Sequence, residues 1–246
     1  MSINIIFKKG NIKKTSSNLV LFVDEKFYVD HLKKYISGLE FKYITDLIKT
    51  NDPSKKIFVF QVSAKKKIVL VSIKKNSKIS ELENLGAELF GKINFGKNSE
   101  YSLNSESLLN GQKNVVGHFL HGLKLKSYDF KKYKSKKDRR VITINIVGDK
   151  NKPSVNDLLK FKALEEGTFF ARDLVSEPGN VLHPDEYAKR LKSLKKYNLK
   201  VTVYDEKKLK KLGLNALIGV GQGSIRGSYL VTIEWKGSKA KSKPLG

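Results

Sequence analysis

The chain has 246 residues, enough for one large or two modest domains, and 39% of them are apolar, which supplies real cores and excludes a disordered composition. It carries 49 Lys and Arg against 24 Asp and Glu, a formal charge of +25, and no cysteine. The missing cysteine excludes disulfides, thiolate metal sites and a cysteine nucleophile, and no run of roughly eighteen apolar residues offers a membrane-spanning helix.

From the N-terminus, residues 3–7 and 18–23 read as strands, being short, apolar and rich in β-branched or aromatic side chains. Met1 to Lys9 has no basic region before its apolar stretch and no small-residue cleavage site, so it reads as a first strand and not as a signal peptide. Residues 24–35 read as a loop or helical turn. Residues 57–62 and 68–73 form two strand runs joined by a lysine-rich connection, a hairpin-like signal. Residues 79–93 place apolar side chains at 79, 82, 85, 89 and 93, one face of a helix. Ser80 with Glu83 three residues on suggests a capping box. A second helix is expected over 107–123 on Leu108, Val115, Phe119 and Leu123. Residues 141–147 alternate cleanly as a strand.

Residues 148–153 are a turn-rich break. Ser154 with Asp157 predicts a helix start, and the helix to about Val175 aligns Val155, Leu158, Leu159, Leu164, Phe169 and Leu174 in an apolar stripe. Pro178, Gly179 and Pro184 end it, with Pro184 at a first helical position ahead of Asp185 and Glu186. Helix 185–195, strand 200–204, helix 205–211, Gly213 and strand 229–235 follow. The alternation of strands and helices predicts an α/β class.

Five clusters are weighed for candidate chemistry. Gly219-Val-Gly-Gln-Gly223 is glycine-rich after an apolar run, but a strand and not a helix is expected after it, so a phosphate cradle is disfavoured against a tight loop between strands. His118 and His121, three apart on a helix, could share a metal, yet no acidic or histidine partner is obvious; Glu106 lies outside easy reach, and packing or surface roles are favoured. Asp173 and Glu177, with Arg172 directly ahead of them, could pair as carboxylates, although a helix-end salt bridge is the commoner use. Asp205-Glu206 ahead of Lys207, Lys208, Lys210 and Lys211 is ordinary helix polarity. The run Lys131 to Lys137 interleaves Tyr133 with cations, as single-strand binding or a solvated interdomain loop would. Arginine, the residue that base-edge and bidentate phosphate recognition favours, occurs only at Arg139, Arg140, Arg172, Arg190 and Arg226. The charge therefore predicts weak, salt-sensitive contact with polyanions.

Three segments together resemble the leucyl (cytosol) aminopeptidase family. Leu120-His-Gly-Leu-Lys-Leu-Lys-Ser-Tyr-Asp-Phe-Lys-Lys-Tyr-Lys134 is similar to its G-L-x-L-x-x-Y-x-F-x-x-Y-K segment. Ala171-Arg-Asp-Leu-Val-Ser-Glu-Pro-Gly-Asn-Val-Leu-His-Pro184 is similar to its A-R-D-L-V-N-E-P-x-N-x-L-x-P linker. Ala216-Leu-Ile-Gly-Val-Gly-Gln-Gly-Ser224 is similar to its A-L-L-x-V-G-x-G-S strand and turn. Ser176 stands where asparagine is usual, His183 where threonine or serine is common, and Ile225-Arg226-Gly227 where a proline-rich turn is typical.

The resemblance implies an N-terminal macro-like mixed-sheet domain over 1–150, a helical linker over 151–184 and the incomplete start of an α/β metallopeptidase catalytic domain over 185–246. It implies a cytoplasmic homo-hexamer that releases N-terminal amino acids, often leucine, from peptides. Two divalent metal ions, manganese or zinc, would activate a bridging water in the full-length family. The family's G-K-G and D-T/S-G-G motifs do not occur in residues 1–246, so no catalytic, metal-binding or cofactor-binding residue is assigned here. The expectation is an N-terminal part, inactive alone. The alternative is a non-catalytic basic module binding nucleic acid or ADP-ribose-like ligands, with no membrane role in either case.

Overall fold

The computed structural model describes residues 2–10, 18–50, 52, 54–93, 99–109, 114–136 and 140–237. The chain divides into two compact units, Met1–Ala171 and Arg172–Gly246.

Unit 1 is built on six strands: β1 (Ser2–Phe7), β2 (Asn18–Val23), β3 (Ile57–Ser63), β4 (Lys66–Ser72), β5 (Ser99–Asn104) and β6 (Val141–Val147). They lie in the order β1-β6-β5-β2-β4-β3. All neighbours are parallel except β3 and β4, which pair antiparallel as the hairpin-like signal predicts. The central strands β2 and β4 are continuously apolar because both their faces are buried. On one face Val20, Phe22, Val69 and Val71 meet Leu82, Leu85 and Leu89 of α2 (Ile79–Ile93) with Val116 and Phe119 of α3 (Val115–Lys126). On the other face Leu19, Leu21, Ile68 and Leu70 pack with Leu32 of a 3₁₀ turn and Ile44. Ile44 belongs to α1 (Gly38–Thr50), which precedes α2 in the chain. Each such side chain contributes about 1.5–3 kcal/mol by leaving water.

The helices α2 and α3 touch backbone to backbone at two glycines. A Cβ on Gly86 would stand 1.8 Å from the Phe119 carbonyl oxygen, and one on Gly122 1.9 Å from that of Glu83. Only glycine permits this approach.

Several local expectations change. The helix over 38–50 and strand β5 lie in stretches that pattern left without an element. In β5 only Tyr101 and Leu103 are apolar and buried, too few to stand out in Ser-Glu-Tyr-Ser-Leu-Asn. The helix expected over 107–123 begins at Val115, and Leu108 follows a 3₁₀ turn. The cap of α2 is Lys78, whose N–H donates to Glu81 Oε2 at 2.8 Å. Ser80 is therefore inside the helix, and Glu83 turns to a histidine of α3. Most of α4 (Val155–Ser176) belongs to unit 1, where it packs on α3 through Phe161, the one buried residue of that helix among the described residues. Its start is as read: Ser154 Oγ donates to Asp157 at 2.6 Å and accepts the Asp157 N–H at 3.2 Å. The apolar stripe, however, is largely open. Val155 is 73% and Leu159 61% exposed, and Leu164 is also exposed.

Unit 2 contains α5 (Pro184–Lys192), β7 (Lys200–Tyr204), α6 (Glu206–Lys211), α7 (Asn215–Gly221) and β8 (Leu230–Glu234). β7 and β8 pair antiparallel, with Thr202 opposite Thr232. The run Ala216–Val220, read as a strand, is helical. A short apolar run without alternation suits either state, and here Gly213, at φ +72°, closes α6 and starts the next turn. Gly213 N–H donates to Lys210 O and Leu214 N–H to Leu209 O, both at 3.1 Å, a Schellman closure.

Candidate functional site

The linker that follows α4 is a turn locked by one arginine. After Ser176 ends α4, Val181 and Leu182 N–H both donate to Pro178 O at 2.9 Å. Pro184 then starts α5 with Asp185 and Glu186 in its first turn. Arg190, one and a half turns on, forks back: Nη1 donates to Glu177 at 3.0 Å and Nε to Glu186 at 3.1 Å. The Glu177 side chain is only 2% exposed. The Arg190 bond holds the Glu186 carboxyl below the usual carboxylate range. Glu177 is thus committed to an ion pair that ties the end of α4 to α5. Asp173 sits on an exposed position of α4. The two do not form a catalytic pair of carboxylates. The Glu186–Arg190 spacing was legible as an i, i+4 pair, whereas the Glu177 partner, thirteen residues away, was not.

Beside this lock lies a groove of about 640 Å³, lined by Tyr187, Leu191, Leu217, Val220 and Val231 among others. At its edge Arg226 Nη1 donates to Asp185 at 3.3 Å. The Asp185 carboxyl is held below its ordinary range, first by the Tyr229 hydroxyl and then by the His183 and Arg226 charges. The same bond raises the Tyr229 hydroxyl. His183 Nδ1 is 3.3 Å from Asp185 Oδ2 but buried and outside hydrogen-bonding geometry. The groove offers apolar contact and one committed carboxylate, with no nucleophile-and-base pair. The glycines expected as a loop between strands end α7 instead. A Cβ on Gly221 would lie 2.0 Å from Ser228 Oγ, so close approach explains that glycine. Neither it nor Gly219 has a positive φ.

His118 and His121 point to separate carboxylates, correcting the expectation that no acidic partner lies near. His118 Nδ1 donates to Glu83 of α2 at 3.1 Å, and His121 Nδ1 to Glu165 of α4 at 3.0 Å. The Phe161 ring packs against both imidazoles, at 5.0 and 5.1 Å between centroids. They do not share a metal. Sequence spacing could not reveal Glu83 and Glu165, because both arrive by tertiary contact. Glu106 accepts the Asp149 N–H at 2.9 Å. Asp205 caps α6 by accepting from Lys208 N–H at 3.0 Å, and Glu206 pairs with Lys210 at 3.2 Å, as helix polarity predicts.

In the basic run, Lys131 and Lys134 both pair with Asp129, and Lys132 lies 5.4 Å over the exposed Tyr133 ring. Lys137 falls outside the described residues. Among the described residues no group of three His, Cys, Asp or Glu side chains is placed to hold a metal ion. The described side chains do not fit a two-metal centre.

The family model described as "Cytosol aminopeptidase family, catalytic domain" matches residues 169–246. A "probable cytosol aminopeptidase" of Sinorhizobium fredii is 41% identical over 138 residues, covering 53% of this chain and 28% of the relative. One of Brucella anthropi is 33% identical over 189 residues, covering 73% of this chain and 38% of the relative. The chain thus spans well under half the length of these relatives. Among solved structures, a tomato leucine aminopeptidase mutant superposes with a TM-score of 0.72 at 17% identity, covering 94% of this chain and 50% of that one. The bottromycin maturation enzyme BotP in complex with Mn superposes with a TM-score of 0.65 at 18% identity, covering 88% of this chain and 44% of that one. These likenesses establish the α/β fold with its mixed sheet. The sequence matches establish the lineage: the chain is a member of the leucyl (cytosol) aminopeptidase family, corresponding to the N-terminal portion of its members.

Proposed function

We propose that the whole protein is a cytoplasmic, homo-hexameric aminopeptidase that releases N-terminal amino acids from peptides with two divalent metals, manganese or zinc. In this reading residues 1–246 supply the macro-like domain (1–150), the helical linker (151–184) and the start of the catalytic domain (185–246). They supply no metal ligand and no catalytic residue. The observation that carries it is the linker Ala171–Pro184, locked by Arg190 and followed by Ala216–Ser224, inside the residues that match the family's catalytic domain.

The 246-residue chain, purified and given manganese, is expected not to hydrolyse a leucine anilide. Metal-dependent hydrolysis by this chain would overturn that part. Coding DNA that continues in frame past Gly246 into G-K-G and D-G-G segments is the expected context, and a stop codon there would remove the enzyme reading for this product. One observation favours the alternative of a non-catalytic basic module for nucleic acid or ADP-ribose-like ligands: Tyr133 is exposed among Lys131, Lys132 and Lys134. Anisotropy titrations with DNA and with ADP-ribose separate the two readings. Binding lost at modest salt is the generic effect of a +25 chain.

A further inference from the structure

Unit 1 holds a second cavity, of about 480 Å³, between the open edge of its sheet and the helices α3 and α4. The edge strand is β1. Ser2 N–H donates to Arg140 O and Lys8 N–H to Ile146 O, so the even-numbered residues of β1 bond toward β6. Ile3, Ile5 and Phe7 therefore turn their backbone groups toward the open edge, which the cavity borders. Two opposite charges, Lys124 and Glu165, line the cavity. Lys124 Nζ donates to Ile3 O at 2.9 Å, and Glu165 accepts from His121 at 3.0 Å. The rest of the wall carries Leu120, Leu158 and Phe161, together with Asn4 and with Lys162, whose ammonium pairs with Glu166 at 3.9 Å.

Neither charged group is exhausted by its bond. A carboxylate has about four lone-pair sites and an ammonium three donors, and each uses one here. Burial drives the Glu165 carboxyl upward, and His121 and Lys124 only partly offset this. A lone anion placed there meets Glu165, a lone cation meets Lys124, and a purely apolar solute strips water from both without replacing it.

We propose that this cavity binds a small zwitterion with an apolar side chain, a free apolar α-amino acid or a dipeptide. The ammonium sits on Glu165, the carboxylate on Lys124, and the side chain against Phe161, Leu120 and Leu158. In a dipeptide the peptide group faces the open edge at Ile5. The volume falls within the roughly 300–1,000 Å³ common for small-molecule sites. This site lies wholly in unit 1 and stands apart from the peptidase reading.

The test is calorimetric titration of the 246-residue chain, without added metal so that hydrolysis contributes no heat. The probes are L-leucine and L-leucyl-L-leucine, against 4-methylpentanoate, which lacks the ammonium, and 3-methylbutylamine, which lacks the carboxylate. Saturable binding of at least one zwitterion is expected, with both singly charged analogues weaker by about tenfold or more. Which zwitterion binds tells amino acid from dipeptide. Glu165→Gln and Lys124→Met should each weaken binding about tenfold with an unchanged circular dichroism spectrum. Should Lys124→Met unfold, Leu158→Trp serves instead, filling the cavity and abolishing binding. No saturable heat with either zwitterion, equal binding of the singly charged analogues, or indifference to Glu165→Gln would each overturn the proposal.

Discussion

The two units are held together by different physics. Unit 1 sandwiches a sheet whose central strands are buried on both faces, so its cohesion comes from transfer of apolar surface out of water. In unit 2, among the described residues, the buried apolar side chains are Ala188, Val201 and Leu209. Its elements are tied by polar devices: the Arg190 fork, the Asp205 cap and the Schellman closure at Gly213. Around them large apolar side chains face solvent, with Ile225 99%, Val220 88% and Trp235 76% exposed. A small unit with a thin core and much exposed apolar surface is marginal by itself. Within one chain, then, the large core and the match to the family's catalytic domain, over residues 169–246, reside in different places. The unit that carries that match is the one with the weaker core.

Hydrogen exchange resolved along the chain reads this contrast, because each unit opens with its own free energy. Protection is expected to be deep in β2, β4, α2 and α3, and shallow in α5, α7 and β8. Equal protection in both units would break the comparison. The largest single effect is expected at the glycine contact of unit 1. Gly122→Ala drives a Cβ into the Glu83 carbonyl and should cost about 1–3 kcal/mol or more in urea unfolding. Gly91→Ala, in the same helix pair but with nothing within 4 Å of the added Cβ, should be stabilising by up to about 1 kcal/mol. A loss at Gly91 as large as at Gly122 would mean that contact geometry is not the cause.

Next comes the lock of unit 2. Glu177→Gln leaves Arg190 with a neutral partner where a charged one stood. The expected cost is about 1.5–3 kcal/mol, toward the lower end because Arg190 is one-fifth exposed. It should raise exchange in α5 and β7 while leaving α2 and α3 unchanged. Faster exchange in unit 1 as well would show that the two units unfold together.

The smallest effect concerns pH and unit 1. Burial pushes the Glu40 carboxyl up, but hydrogen bonds from Lys66, whose Nζ is 2.7 Å away, and from Ser37 outweigh it and hold it below its ordinary value. A carboxyl lowered by folding adds stability that is fully present above its unfolded value and is lost as pH falls through its folded one. Wild type should therefore exceed Glu40→Gln by about 1 kcal/mol at neutral pH, and the gap should close on acidification. A gap that widens in acid would refute the assignment.

The residues that pattern reading located well are those whose signal is local. Strands 18–23, 141–147 and 200–204 and helix 79–93 stand where alternation or helical spacing puts them. Pro184 at the first turn of α5 and the acid-first, base-last polarity of α6 follow from single side chains acting on their own backbone, although Asp205, read as the first helical residue, is the cap. The misses share a cause. Strand β5 carries only two apolar residues and is a strand because β2 and β6 flank it. The run Ala216–Val220 is equally apolar as strand or helix, and the turn at Gly213 settles it.

Sequence alone determined the α/β class, the boundaries of the strongly periodic elements and, through Ala171–Pro184 and Ala216–Ser224, the resemblance to one peptidase family. These rest on spacing and on residue identity, which a linear chain carries in full. Only the tertiary structure decided which charges meet: Glu177 with Arg190, Glu83 with His118, Glu165 with His121 and Lys124 beside the Ile3 carbonyl. Those partners are 13, 35, 44 and 121 residues apart. An ion pair depends on distance in space, and at such separations only the packing of the sheet and its helices brings the two groups within reach.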